Sequence, residues 1–211
     1  MRQMVILCRH GNTFDRGEKV VMVGAKQDLP LTNEGVHQAR RIAEALGAAR
    51  LAPARVLCGP LQRTTEYAAT IVAELNLDIK PRIDGRLVEL DYGAWGGLSQ
   101  EEISERFGTE DLVNWQERGI RPASTSFVPS TEALRRETVE LLREFQSYQG
   151  ISVVVTSNGR LREFGSVLDP STAVHHKVKT GHACVIVYEE NQWRIRTWDS
   201  SPEQLAAALD R

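Results

Sequence analysis

The chain has 211 residues and a formal net charge of −2, with 41% hydrophobic and 26% charged residues. That composition supports a packed core rather than disorder, and the near-neutral balance gives no overall basic field for nucleic acid or an anionic membrane. No apolar run approaches the roughly 20 residues of a membrane span, and the N-terminal run is too short for a signal segment and lacks a small-residue cleavage site. The first predicted element is a short apolar strand over 3–8, QMVILC, which stops at Arg9-His10-Gly11. Residues 31–47 carry Val36, Ala39, Ala43 and Leu46 at helical spacing, with Thr32 as N-cap and Gly47 as the stop. A second strand, ARVLC at 54–58, leads into a helix over 60–75, with Pro60 in its first turn. Ser99 followed three residues later by Glu102 predicts a capping box and a short helix over 99–108.

Residues 109–130 look loop-rich and suggest an insertion or lid within a single domain spanning 1–211. A helix is expected over 131–146, and the β-branched run ISVVVTS at 151–157 reads as a buried strand. Residues 183–198 read as two strands joined by a tight turn near Glu190 and Asn191. Ser201 to Gln204 then opens a last helix, with Pro202 at its first position and Gln204 placed to close a capping box. The three cysteines, Cys8, Cys58 and Cys184, lie in or beside apolar runs. They read as buried hydrophobes in a reducing, cytoplasmic setting. Alternating strands and helices predict a three-layer α/β/α sandwich around a mostly parallel sheet.

In such folds ligands bind beyond the carboxyl ends of the strands. Three strand ends then matter, and they read Arg9-His10-Gly11, Gly59-Pro60-Leu61-Gln62-Arg63 and Ser157-Asn158-Gly159. Two guanidinium groups, Arg9 and Arg63, suit the oxygens of a phosphate. A neutral His10 is a competent nucleophile toward phosphorus. Gly11 would let the backbone approach an anion, and Asn12 adds a donor. Glu89, in LVELDYGAW, sits among apolar and aromatic residues that suit a general acid, with Asp91 as its local competitor.

RHGNT at 9–13 resembles the signature of the histidine phosphatase superfamily, the branch that includes cofactor-dependent phosphoglycerate mutases. GAKQDLPLTNEGVHQA (24–39), CGPLQRTTEYA (58–68), LVELDYGAWGGLS (87–99) and KTGHACVIVYE (179–189) are similar to further blocks of that family, in the same order. Gly59 stands where serine is usual and Gly96 where glutamate is common. The resemblance implies a phosphoglycerate mutase-like fold and catalysis by His10 and Glu89. It also implies phosphate binding by Arg9, Arg63 and the following strand ends, with no cofactor or metal. The expected partner is a small phosphorylated metabolite. Oligomeric state has no signal in the sequence.

One motif departs. The family carries a second histidine after the buried strand, and here Asn158 takes its place. An amide donates a neutral hydrogen bond but carries no charge. Three readings stay open: an active phosphatase in which Asn158 still donates, replacement of the missing group by His175, His176 or His182, and a pseudoenzyme that binds a phosphorylated ligand without turnover. A mutase is disfavoured because 109–130 carries only Arg118 and Arg121 against three acidic residues. Arg160 and Lys177 are expected at the pocket mouth or in solvent. Adjacent His175 and His176 lack metal-ligand spacing, and no G-x-G-x-x-G follows the first strand.

Overall fold

The computed structural model describes residues 3–170 and 176–209. Six strands form one sheet in the order β3-β2-β4-β1-β5-β6. They are β1 (Gln3–Arg9), β2 (Arg55–Cys58), β3 (Arg82–Ile83), β4 (Ile151–Thr156), β5 (Ala183–Glu189) and β6 (Gln192–Ser200). The pairs β1–β4, β4–β2 and β2–β3 are parallel, whereas β5 runs antiparallel to both β1 and β6. The sheet is therefore mixed, and the mostly parallel expectation holds for its larger half. The β5–β6 hairpin turns at Glu190 and Asn191, which both take positive φ, 51° and 63°. That conformation suits the tight turns joining antiparallel strands.

Seven α-helices flank the sheet among the described residues: α1 (Asn33–Ala48), α2 (Gln62–Glu74), α3 (Gln100–Phe107), α4 (Thr109–Val113), α5 (Thr131–Ser147), α6 (Asn158–Leu168) and α7 (Pro202–Leu209). Alternate strand residues point to opposite faces, and the core divides accordingly. Ile6, Cys8, Val56 and Val155 pack with α1, α2 and α7. Val5, Leu7, Leu57 and Val154 pack with α5 and α6. This is the three-layer arrangement the alternation of elements predicts. All three cysteines are buried and unpaired, and burial pushes the Cys8 thiol up to about 12 and Cys58 to about 11. No helix among the described residues is long and apolar enough to cross a membrane.

Several local signals act as read. Thr32 caps α1 by accepting from Gly35 N at 3.1 Å, and the Ser99/Glu102 box closes on α3. Ser201 and Gln204 form the reciprocal pair that opens α7, at 2.9 and 3.3 Å. Others shift. Gly47 does not stop α1, which runs to Ala48. The reversal falls on Arg50 at φ 54°, and Leu51 N closes the end by donating to Leu46 O at 3.0 Å. Pro60 lies outside α2, one residue before its N-cap Leu61. Residues 109–130 are more regular than expected. They contain α4 and a π-helical turn over Asn114–Arg118. Trp115 and Phe127 bury themselves with Leu90, Tyr92, Trp95 and Ile103 in a third cluster.

Candidate active site

The carboxyl end of β1 is fixed from both sides. Arg9 N donates to His182 O at 3.0 Å, and His10 N donates to Thr156 O at 3.1 Å. These bonds place the two side chains at the floor of a cavity of about 390 Å³. Arg9 donates from Nη1 to the Val178 carbonyl at 2.6 Å. Burial lowers its pKa while Glu89 opposes the shift, and an arginine starts high enough to keep its charge.

His10 is 7% exposed, and its Nδ1 lies 2.8 Å from the Gly11 carbonyl. A carbonyl only accepts, so Nδ1 carries the hydrogen and Nε2 keeps its lone pair. Burial, then Arg9 and Arg63, push the imidazole pKa well below the ordinary histidine value. The ring is therefore neutral at neutral pH. This depression has a stability signature. The unfolded chain takes up the proton near pH 6.5 and the folded chain does so only at lower pH, so the contribution is fully present above about 6.5 and is lost as pH falls. Relative to His10→Asn, the wild type should lose up to about 1.4 kcal/mol per pH unit below about pH 6.5. Denaturant melts between pH 7 and 5 check this, and parallel curves for the two proteins would contradict a neutral imidazole.

Asn158 is the first residue of α6. Its Oδ1 accepts from Val178 N at 2.9 Å. A backbone N–H can only donate, so this bond settles which end of the amide is oxygen. The Nδ2 group is left as a donor on a residue that lines the cavity. Asn12 is arranged similarly. Its Oδ1 accepts from Thr180 Oγ1 at 2.6 Å and Gln38 Nε2 at 3.3 Å, and the residue also lines the cavity. The opening of α6 adds backbone N–H groups of the kind that favour anions.

Glu89 is 4% exposed and lines the same cavity. Its surroundings are less apolar than its sequence neighbours suggested. Oε1 accepts from Leu90 N at 2.8 Å and from Gly159 N at 3.1 Å, and Oε2 shares the Gly159 N–H at 3.3 Å. A Cβ on residue 159 would lie 2.4 Å from Glu89 Oε1. Only glycine leaves room for this carboxylate. Asp91, the competitor, is bonded instead to Lys26 at 2.7 Å and to Gly93 N at 3.0 Å.

Two expected phosphate contacts are placed differently. Arg63 is fully buried and does not line the cavity. It donates to Gln27 O at 2.7 Å and Gly24 O at 3.2 Å. Its charge still reaches His10, but its hydrogen bonds brace the turn at 24–27. Gly11 also lies outside the lining. A Cβ there would sit 2.4 Å from Gly35 O, so the glycine is required by helix α1 rather than by close approach to an anion.

Two of the candidate replacement histidines, His176 and His182, do not line the cavity. His182 Nδ1 lies 3.0 Å from Asp199 Oδ1 and 3.0 Å from Asp199 O. His176 packs edge-on against Trp198, with centroids 5.4 Å apart. His175 falls outside the described residues. Arg160, expected at the pocket mouth or in solvent, is in neither place: it does not line the cavity, is 1% exposed and pairs with Glu137 at 2.6 Å.

Sequence reasoning missed Arg162. It is 6% exposed, lines the cavity, donates to Gln116 O at 2.6 Å and stacks 5.2 Å from the Trp115 ring centroid. The signal was present. Arg162 lies four residues beyond Asn158, on the same face of α6, but the helix itself went unread. Lys177 lines the cavity as well, and burial followed by Arg162 and Arg9 lowers its pKa. No group of three or more His, Cys, Asp or Glu side chains placed to hold a metal occurs among the described residues.

The sequence profile of the histidine phosphatase superfamily (branch 1) matches residues 5–201. A bifunctional protein of Mycobacterium tuberculosis is 34% identical over 160 residues, 73% of this chain, and the match spans 40% of that protein's length. A 2,3-bisphosphoglycerate-dependent phosphoglycerate mutase of Beijerinckia indica is 28% identical, over 86% of this chain and 89% of the mutase. Among solved structures, the mycobacterial glucosyl-3-phosphoglycerate phosphatase superposes with a TM-score of 0.78 at 20% identity, covering 94% of this chain and 99% of the other. The alpha-ribazole phosphatase of Shigella flexneri gives 0.71 at 22% identity, covering 93% and 96%. At these identities the superpositions speak to the fold.

Proposed function

This chain belongs to the histidine phosphatase superfamily, branch 1, and from that premise we propose that it hydrolyses a small phosphomonoester through a phosphohistidine on His10. The observation that carries the reading is the bond from His10 Nδ1–H to the Gly11 carbonyl. It fixes the tautomer that leaves the lone pair on Nε2, while burial, Arg9 and Arg63 oppose protonation of that nitrogen.

Nε2 attacks phosphorus and the bond from phosphorus to the ester oxygen breaks. Glu89 in its acid form gives its proton to the departing alkoxide, so that a neutral alcohol leaves. Arg9 and the amides of Asn12 and Asn158 hold the equatorial oxygens, whose charge the transition state redistributes. Arg162 adds a second cavity guanidinium, in the place first assigned to Arg63. In the second half Glu89, now a carboxylate, accepts a proton from water as that water attacks phosphorus. The N–P bond breaks, inorganic phosphate forms and both residues return to their starting states.

The test is chemical trapping. The enzyme is quenched in alkali within the first turnovers on 4-nitrophenyl phosphate. It should carry an acid-labile, alkali-stable phosphate on the peptide that contains His10, and His10→Ala should carry none. Binding without any phosphorylation or phosphate release would instead identify a protein that holds a phosphorylated ligand.

A further inference from the structure

The cavity lining combines three cations with an apolar stretch, and that stretch bears on the leaving group. The three cations lie near one another. Arg9 bonds the Val178 carbonyl, Val178 N bonds Asn158, and Lys177 is the next residue in the chain. Arg162 follows Asn158 by one helical turn. Arg9 and Arg162 each lower the pKa of Lys177, as expected of like charges gathered together.

Another part of the lining is apolar. Val20, Val21, Met22, Val23 and Leu98 form it, with Thr13 and Gln100 also in the lining, and Met22 and Leu98 pack on the core cluster that holds the fully buried Ile103. This wall is built rather than loosely draped. Met22 N donates to Leu98 O at 2.8 Å, and Gly97 N donates to Met22 O at 2.9 Å. The following turn is anchored by Ala25 N to Leu90 O at 2.9 Å and by the two bonds from buried Arg63. Gly24 sits so close to Leu90 O that a Cβ would come within 2.7 Å. Lys19, the nearest lysine in sequence, is engaged with Glu102 at 2.9 Å and does not line the cavity. Val20 is nevertheless 59% exposed, an apolar side chain left at the rim with nothing to cover it.

We propose that the preferred substrates are phosphate monoesters of uncharged, largely apolar alcohols, with the alcohol seated against Val20–Val23 and Leu98. The inference rests on the phosphatase reading for its reaction but on the cavity wall for its selectivity. A sugar acid phosphate or a bisphosphate would bring a second anionic group to a wall with no cation to receive it, leaving a desolvated charge unpaired.

A homologous series isolates the wall from the chemistry. Ethyl-, butyl- and hexylphosphonate present one head group and cannot be hydrolysed. Calorimetric Kd values should tighten about fourfold per added methylene until the cavity is filled. 2-Carboxyethylphosphonate should bind at least tenfold more weakly than propylphosphonate. In Val20→Asp, which alters a side chain exposed at the rim, the dependence on chain length should flatten. A flat series in the wild type, or tighter binding of the carboxylate compound, would overturn the proposal. Turnover of the matching alkyl phosphates is measured in parallel. A rising binding series without phosphate release would sink the hydrolase reading and leave the ligand class standing. Phosphate release with a flat series would do the reverse.

Discussion

His10→Ala is expected to lower the rate of phosphate release by about 10⁴-fold or more, while vanadate or phosphate binding changes by less than about tenfold. The asymmetry follows from what the ring does. Its Nδ1–H is committed to Gly11 O and its charge is suppressed by burial and by two arginines, so it contributes little attraction to a bound anion. Its contribution is the lone pair on Nε2, and alanine removes it outright. The anion keeps Arg9, Arg162 and both asparagine amides. Steady-state phosphate release and calorimetry on one protein preparation separate the two effects. A mutant that loses binding in proportion to turnover would show that His10 is a ligand to the anion rather than its attacker. Fold is not expected to confound the result, because the deleted ring opens onto a solvent-connected cavity rather than leaving a void in the core.

The second large effect concerns Asn158. Asn158→Asp keeps the acceptor for Val178 N but replaces the remaining amide donor with a carboxylate oxygen facing the phosphoryl group. Loss of one such donor costs a factor of about 10² to 10³ in kcat, and the added repulsion carries the expected loss to the upper end of that range. Asn158→His should stay within about tenfold of wild type. The Val178 N–H that now holds Oδ1 would meet Nδ1 of an imidazole. That leaves a neutral ring with one Nε2–H donor, the same inventory the amide supplies. The missing histidine is thus a smaller chemical change than its lost charge suggests. Kinetics of both variants on 4-nitrophenyl phosphate decide the matter. A hundredfold gain in Asn158→His would mean that an imidazolium forms there in spite of the Val178 N–H.

Strand ends were the most legible feature of this chain. β1 and β4 are short, apolar and β-branched, and the residues that follow them, Arg9-His10 and Asn158, do line one cavity. Glu89 joined them through its place in a motif and through its apolar and aromatic sequence neighbours, and it lines the same cavity. Helix α6 was not legible, because it opens on Asn-Gly, has a second glycine at 165 and lacks a side-chain cap. Tertiary packing against Leu87 and Phe145, in the same cluster as Leu161 and Phe164, outweighs that weak propensity. With the helix unread, Arg162 could not be placed one turn from Asn158. Arg63 shows the opposite difficulty. Its position at a strand end was correct, but which acceptors a guanidinium finds depends on a turn 36 residues away in sequence. Burial of 109–130 through Trp115 and Phe127 was hidden for a similar reason. Two aromatic residues in an irregular segment carry no periodicity to read.

Val178 contributes to the cavity through its peptide groups alone. One carbonyl restrains a guanidinium at the tip of a strand, and the amide hydrogen of the same residue orients the group at the mouth of a helix. Any amino acid other than proline supplies both. The Val178 side chain is itself fully buried in the cluster with Leu7, Leu57 and Val154, so the core, and not the cradle, restricts which residue can stand there. The spacing between the two halves of the site is thus written in the backbone, and the residue type at this position records only the packing around it.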